Sequence, residues 1–189
     1  NNVDICENED GLRFRFAIDN NLHGIAQHRS LYVNSKYHSQ FKLLDKWIAK
    51  HKSDLINILD ENLILFGEWL YAIHSIEYSS LPDYFLAFDL YNKKEKLFYS
   101  RSELEKKLKD TTILPVKLLY NGNVKDEKQL LRMLELESEY SQHTKVEGIY
   151  LKVNEGKYIK HRAKIVRKDF LSGNKHWSKR IIRINKLKI

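Results

Sequence analysis

The 189-residue chain has a single cysteine, Cys6, and only 2 prolines and 7 glycines. One cysteine excludes a disulfide framework and a cysteine-built zinc site, and it suits a reducing, cytoplasmic setting. So little Pro and Gly leaves no flexible linker, low-complexity stretch or internal repeat, and the chain reads as one domain. No apolar run approaches the roughly 20 residues of a membrane-crossing helix. The opening NNVDICENEDG is polar and acidic, unlike a signal peptide. It also lacks an initiator Met and opens as though in mid-sequence, so truncation on the left is expected. GxxxxGK[ST], GxSxG and HExxH are missing, and the 8 histidines show no metal-binding spacing. That argues against a P-loop, a hydrolase elbow and a His-based metal site.

What is present begins with charge. Lys plus Arg total 33 against 25 Asp plus Glu, a net +8. Such a surplus favours a polyanionic partner, nucleic acid first and phosphate cofactors second. General solubility accounts for it equally well. Hydrophobic residues make up 42%, enough for a packed core rather than disorder.

LRFRFAI (12–18) alternates apolar and polar as a half-buried strand does, and the EDG before it predicts a hairpin with residues 3–7. HGIAQHRSLYV reads as a loop passing into a short strand. Residues 40–59 place Phe41, Leu44, Trp47, Ile48 and Leu55 at helical spacing, the main amphipathic helix. Strands follow at 61–73 and 84–92, and EKLFYS extends the sheet. SRSELEKKLKD begins a helix with a capping box, Ser100 to Glu103 or Ser102 to Glu105. ILPVKLLYNGN reads as strand and turn, 126–141 as a second amphipathic helix, and VEGIYLKVNEGKYIKHRAKIVR (146–167) as a hairpin. NKHWSKRIIRINKLKI closes the chain as a basic tail. The class is α+β with mainly antiparallel sheets and flanking helices.

Two acidic residues interrupt apolar strands. Glu68 in LILFGEWLYAI shares a face with Phe66 and Leu70. It is either an edge-strand carboxylate in water or a cleft carboxylate that accepts a ligand hydroxyl, because an unpaired buried charge is costly. Asp89 in LAFDLY poses the same question. Its neighbour Phe88, on the opposite face by alternation, is either core or a stacking surface for a base.

A two-residue turn at Glu155-Gly156 would set Glu147 opposite Lys164, Ile149 opposite Arg162 and Leu151 opposite Lys160. One carboxylate and three cations would then share a face. Such a face is either a solvated hairpin with a cross-strand ion pair or a site for a metal-phosphate ligand.

Taken in order, these stretches resemble the RNA ligase family of covalent nucleotidyltransferases, typified by the phage-type second RNA ligase. LFGEW looks like its third motif, FLAFDLY the adjoining aromatic motif, VEGIYLKV the fourth and HRAKIVR the fifth. QHRSLYV, with His28 and Arg29, looks like the arginine motif. The resemblance covers nearly the whole chain and implies an ATP-grasp-like ligase adenylation domain. It implies ATP with Mg2+ or Mn2+ as cofactors, and RNA with 5′-phosphate and 3′-hydroxyl ends as substrate in RNA repair. A lysine in a KxDG-type motif would become lysyl-AMP, AMP would pass to the RNA 5′-phosphate, and a 3′-hydroxyl would displace it.

In these terms Glu68 binds the ribose hydroxyl, Phe88 stacks on adenine and Glu147 holds the metal. Arg162 and Lys164, with Lys160 as a further candidate, bind phosphates, and Arg29 contacts phosphate beside His28. Asn2 matches an asparagine just after the first motif, which would put the attacking lysine upstream of Asn1; no lysine precedes Lys36. A chain without that lysine is expected not to adenylylate itself. The chain ends about 20 residues past the fifth motif, so no OB-fold is expected, nor a membrane partner; a monomer is. A DNA ligase core, a capping guanylyltransferase core and a catalytically inert nucleotide- or RNA-binding pseudoligase remain as alternatives. ATP over GTP and RNA over DNA come from the resemblance alone.

Overall fold

The strands run in chain order β1 (Val3–Asn8), β2 (Leu12–Ile18), β3 (Gly24–His28), β4 (Leu31–Tyr32), β5 (Leu63–Trp69) and β6 (Phe85–Asn92). β7 (Leu97–Phe98), β8 (Leu114–Pro115), β9 (Leu118–Gly122), β10 (Gly148–Glu155) and β11 (Tyr158–Val166) complete them. The computed structural model describes residues 2–18, 24–141, 144–170 and 182–189. Among these residues, β11-β10-β1-β9 form one sheet and β4-β3-β2-β5-β6-β7 another, with β8 on β6. Among the named strand pairs of the described residues only β6–β8 is parallel, so the α+β, mainly antiparallel class holds.

The predicted first hairpin does not form. β1 pairs with β10 and β9, and β2 pairs with β3 and β5. The EDG segment is a corner between sheets. Asp10 donates its N–H to the Tyr78 hydroxyl at 2.8 Å, and its carboxylate accepts the N–H groups of Ser75 and Ile76. These bonds hold the corner against the segment after β5, where a hairpin tip would have stood free in solvent.

Apolar side chains from β2, β5 and β6 (Phe14, Phe16, Leu65, Trp69, Phe85) meet Phe41, Leu44, Trp47, Leu55 and Ile58 in the main core. The single helix expected over 40–59 is two, α1 (Leu44–Lys50) and α2 (Lys52–Ile58), which meet at His51. His51 is fully buried. Its ring bonds the Thr112 hydroxyl and lies 3.2 Å from Asp83, so its side chain is spent on tertiary contacts. α3 (Arg101–Leu108) is capped by Ser100, whose hydroxyl accepts the Glu103 N–H. α4 (Glu127–Met133) is shorter than the predicted 126–141 helix. Its Leu130 and Met133, with Leu134, cover Val3, Ile5 and Ile149 on the outer face of the first sheet.

The described part of the tail folds back onto the second sheet's end. Asn185 is buried, donates to the Leu70 carbonyl and accepts the Tyr78 N–H, each at 2.8 Å. Arg183 pairs with Glu77 at 3.2 Å. Lys175, Lys179 and Arg180 lie outside the described residues.

Candidate functional site

Between the two sheets lies a pocket of about 310 Å3. β5 gives it Phe66 and Glu68, β6 gives Phe88 and Asp89, and β11 gives Arg162 and Lys164. The end of β1 and the corner after it add Glu7, Asn8 and Glu9, and β2 adds Arg13.

The register of β5 and β6 explains how neighbouring residues reach one cavity. Phe66 pairs with Asp89, yet Gly67 pairs with Ala87, leaving Phe88 as an extra residue. Such a bulge re-aims side chains that strict alternation would separate. Phe88 and Asp89 therefore both line the pocket, contrary to the opposite-face expectation. Gly67 permits this, because a Cβ there would lie 2.3 Å from the Phe85 ring and 2.4 Å from the Leu86 carbonyl oxygen.

The final hairpin also departs from the predicted register. Gly156 takes a φ of 59°, and Glu155 pairs with Tyr158, so the turn is Gly156-Lys157. A second bulge leaves Lys160 unpaired between His161 and Ile159. Together these set Lys164 opposite Tyr150 and Arg162 opposite Lys152. The cations thus share the pocket side with Tyr150, while Ile149 packs outward with Val3 and Ile5. Lys160 does not line the pocket; it is exposed and pairs with Glu155 at 2.5 Å.

Glu147 stands just before β10. Its carboxylate accepts the Asn8 side-chain N–H at 2.9 Å. Burial pushes the Glu147 carboxyl up to about 7, aided by the charge of Asp10 and opposed by Lys164 and the Asn8 bond. Burial pushes Glu68 up to about 8, with Arg13 and Lys164 opposing and Glu147 and Asp10 adding. The Glu68 Oε2 is buried with no hydrogen-bond partner. Glu7 is pushed to about 7 and Glu9 well above its ordinary value, both first by burial. In and beside the pocket, burial thus outweighs the nearby cations at each of these carboxylates.

Asp89 organises the back wall. It forms an ion pair with Lys152 at 2.8 Å, accepts the Tyr150 hydroxyl at 2.8 Å and meets Arg162 at 3.3 Å. The Arg162 guanidinium lies 3.9 Å over the Phe98 ring, and that of Arg13 lies 5.8 Å from the Phe88 ring.

Besides Lys160, Glu147 stands outside the lining and meets it through Asn8, and Asn2, Arg29 and His28 fall outside it as well. Asn2 precedes the far end of β1, six residues from Asn8, or roughly 20 Å in a strand. Arg29 occupies the β3–β4 turn with a φ of 53° and is exposed. His28 donates its Nδ1 proton to the Arg13 carbonyl at 3.0 Å, so it supports β2 rather than the cavity.

Residues that sequence reasoning missed are Asn8, Arg13 and Lys152. For Asn8 a signal was present. Asn8-Glu9-Asp10-Gly11 has the KxDG form with asparagine in first place, which the turn signal of EDG masks.

Oxygen donors from Glu147 and Glu68 suit a hard divalent cation. Among the described residues no three metal-ligating side chains form a cage. The donor set therefore fits an ion shared with ligand phosphates, as magnesium sites commonly are.

A family model described as RNA ligase matches residues 5–166. Among solved structures, a Naegleria gruberi RNA ligase variant with ATP and Mn is 17% identical with a TM-score of 0.68, covering 90% of this chain and 51% of that one. The Naegleria gruberi RNA ligase with PPi is 19% identical, with a TM-score of 0.68 and coverage of 92% and 52%. Another variant, with AMP and Mn, is 18% identical, with a TM-score of 0.62 and coverage of 90% and 51%. The chain spans about half the length of these relatives. No curated protein matches the sequence.

Proposed function

We propose that this chain, which belongs to the RNA ligase family, is a nucleotidyltransferase core that binds ATP and a divalent cation and serves the joining of RNA ends. The observation that carries this reading is the convergence of Phe88, Glu68, Arg162 and Lys164 on one pocket from both sheets, with Glu147 hydrogen-bonded to Asn8 of the pocket lining. The adenine base stacks on Phe88, and the unpartnered Glu68 oxygen accepts a ribose hydroxyl. Arg162 and Lys164 face the phosphates. Glu147, with Glu68 nearby, holds the cation, which when bound neutralises charge on the phosphate oxygens.

Displacement at phosphorus needs in-line positioning and neutralised charge more than acid–base groups. These residues offer both. Asp89 fixes Arg162 from behind, and Phe98 supports it from below, so its guanidinium meets the phosphate already oriented. RNA with a 5′-phosphate and a 3′-hydroxyl is the substrate this reading assigns.

Calorimetric titration with ATP and with GTP, each with magnesium, tests the pocket. Saturable ATP binding that Phe88→Ala and Lys164→Ala both weaken is expected. A preference for GTP would move the protein to the capping class. Equal joining of DNA ends would move it to the DNA ligases.

A further inference from the structure

Asn8 lines the pocket at the end of β1, and its side chain donates a hydrogen bond to Glu147 at the start of the final hairpin. An amide nitrogen has its lone pair delocalised into the carbonyl and acts as a donor only. It cannot attack phosphorus. The pocket's other amines are committed elsewhere. Lys152 is fully buried, with its ammonium held by Asp89 and the Phe88 carbonyl. Lys164 balances the charges of Glu68 and Glu147. Among the described residues no further lysine lines the cavity.

Among the described residues the pocket therefore offers no uncommitted lysine, and a displacement there takes its nucleophile from the substrate. We infer that the pocket's substrate is an RNA end already activated, an AMP joined to the RNA 5′-phosphate through a phosphoanhydride, and that the domain seals it without first adenylylating itself. This rests on the nucleotide-pocket reading above and replaces its 5′-phosphate end with one that is already adenylylated.

The chemistry balances without a co-reactant. The 3′-hydroxyl oxygen of one strand forms a bond to the 5′-phosphorus of the other. The anhydride P–O bond breaks, AMP departs with the electron pair, and the hydroxyl proton passes to solvent. The pocket supplies what this step needs. Phe88 and Glu68 hold the adenosine of the leaving group, and Arg162 and Lys164 face the two phosphates whose charge shifts as the bond breaks. The KxDG form of residues 8–11 marks position 8 as the place a covalent route would need lysine, and the asparagine there closes that route.

The test compares the intact protein with its Asn8→Lys variant. Each is incubated with ATP and magnesium and weighed by intact-mass spectrometry. Each is then given 5′-adenylylated RNA and a 3′-hydroxyl RNA strand without ATP, with calorimetry reporting binding of each ligand. The expected result is no mass gain for the natural protein, ATP-independent sealing with one AMP released per joint, and a gain of one AMP by Asn8→Lys. A covalent AMP on any lysine of the natural protein would overturn the inference, as would binding of adenylylated RNA without sealing. If Asn8→Lys stays unmodified while the natural protein seals, position 8 is not the attacking position and that assignment is overturned. Failure of the pocket reading looks different: neither ATP nor adenylylated RNA binds.

Discussion

Asp89 and Lys152 face each other at 2.8 Å, and each side chain is 1% exposed. The pair ties β6 of one sheet to β10 of the other directly behind the pocket. Removing one member of a buried pair leaves the other charge uncompensated, at a cost of about 3–5 kcal/mol. Lys152→Met is expected to lower the stability in urea by that order. Arg162→Ala removes a half-exposed cation from the same carboxylate, so its stability cost should be under about 1 kcal/mol. Its loss should appear in ATP affinity instead.

The hairpin register makes a sharp comparison between two lysines four residues apart. Lys164 lines the pocket, whereas Lys160 points to solvent beside Glu155. Lys164→Ala should weaken ATP binding by roughly tenfold or more, the loss of a charge-assisted phosphate contact. Lys160→Ala should leave it within about twofold. Equal losses at both positions, by calorimetry, would contradict the observed register.

Burial raises the Glu68 carboxyl from 4.5 to about 8, and Glu147 to about 7. Below about pH 4.5 both states carry the proton. As pH rises from 4.5 toward 8, the unfolded chain releases it while the folded chain keeps it, so stability falls through that window. Urea midpoints of the empty protein should therefore decrease from pH 5 to pH 8. Glu68→Gln should flatten that decrease and be more stable than the natural protein at pH 8, while binding ATP more weakly.

Phe88 reaches the pocket only through the β6 bulge. Phe88→Ala should weaken ATP binding by about 1–3 kcal/mol, the usual worth of a base–aromatic stack. Phe88→Tyr keeps the ring and should bind nearly as the natural protein does. A loss of the same size in Phe88→Tyr would place the base elsewhere.

Period-two alternation and turn residues were enough to find β2, β5, β6 and the final hairpin, and motif order placed Glu68, Phe88, Glu147, Arg162 and Lys164 together in the sequence. Alternation fails where a bulge adds a residue. That is why alternation sets Phe88 and Asp89 on opposite faces and pairs the hairpin cations with the wrong residues. Which sheet a strand joins depends on distant backbone, so the β1–β2 corner looked like a hairpin. Lys152 was illegible because its charge is cancelled by Asp89, 63 positions earlier and on another sheet. Asn8 is legible as a KxDG-like position, but asparagine in place of the defining lysine hides the motif, and Asn2 then points upstream of Asn1.

A crystal structure of the protein grown with AMP and a divalent cation tests the central claim most directly. The account predicts adenine against the Phe88 ring, a ribose hydroxyl on Glu68, and the phosphate at Arg162 and Lys164, with the cation beside Glu147. AMP bound outside the space between the two sheets, or a pocket still empty at saturating AMP, would contradict it.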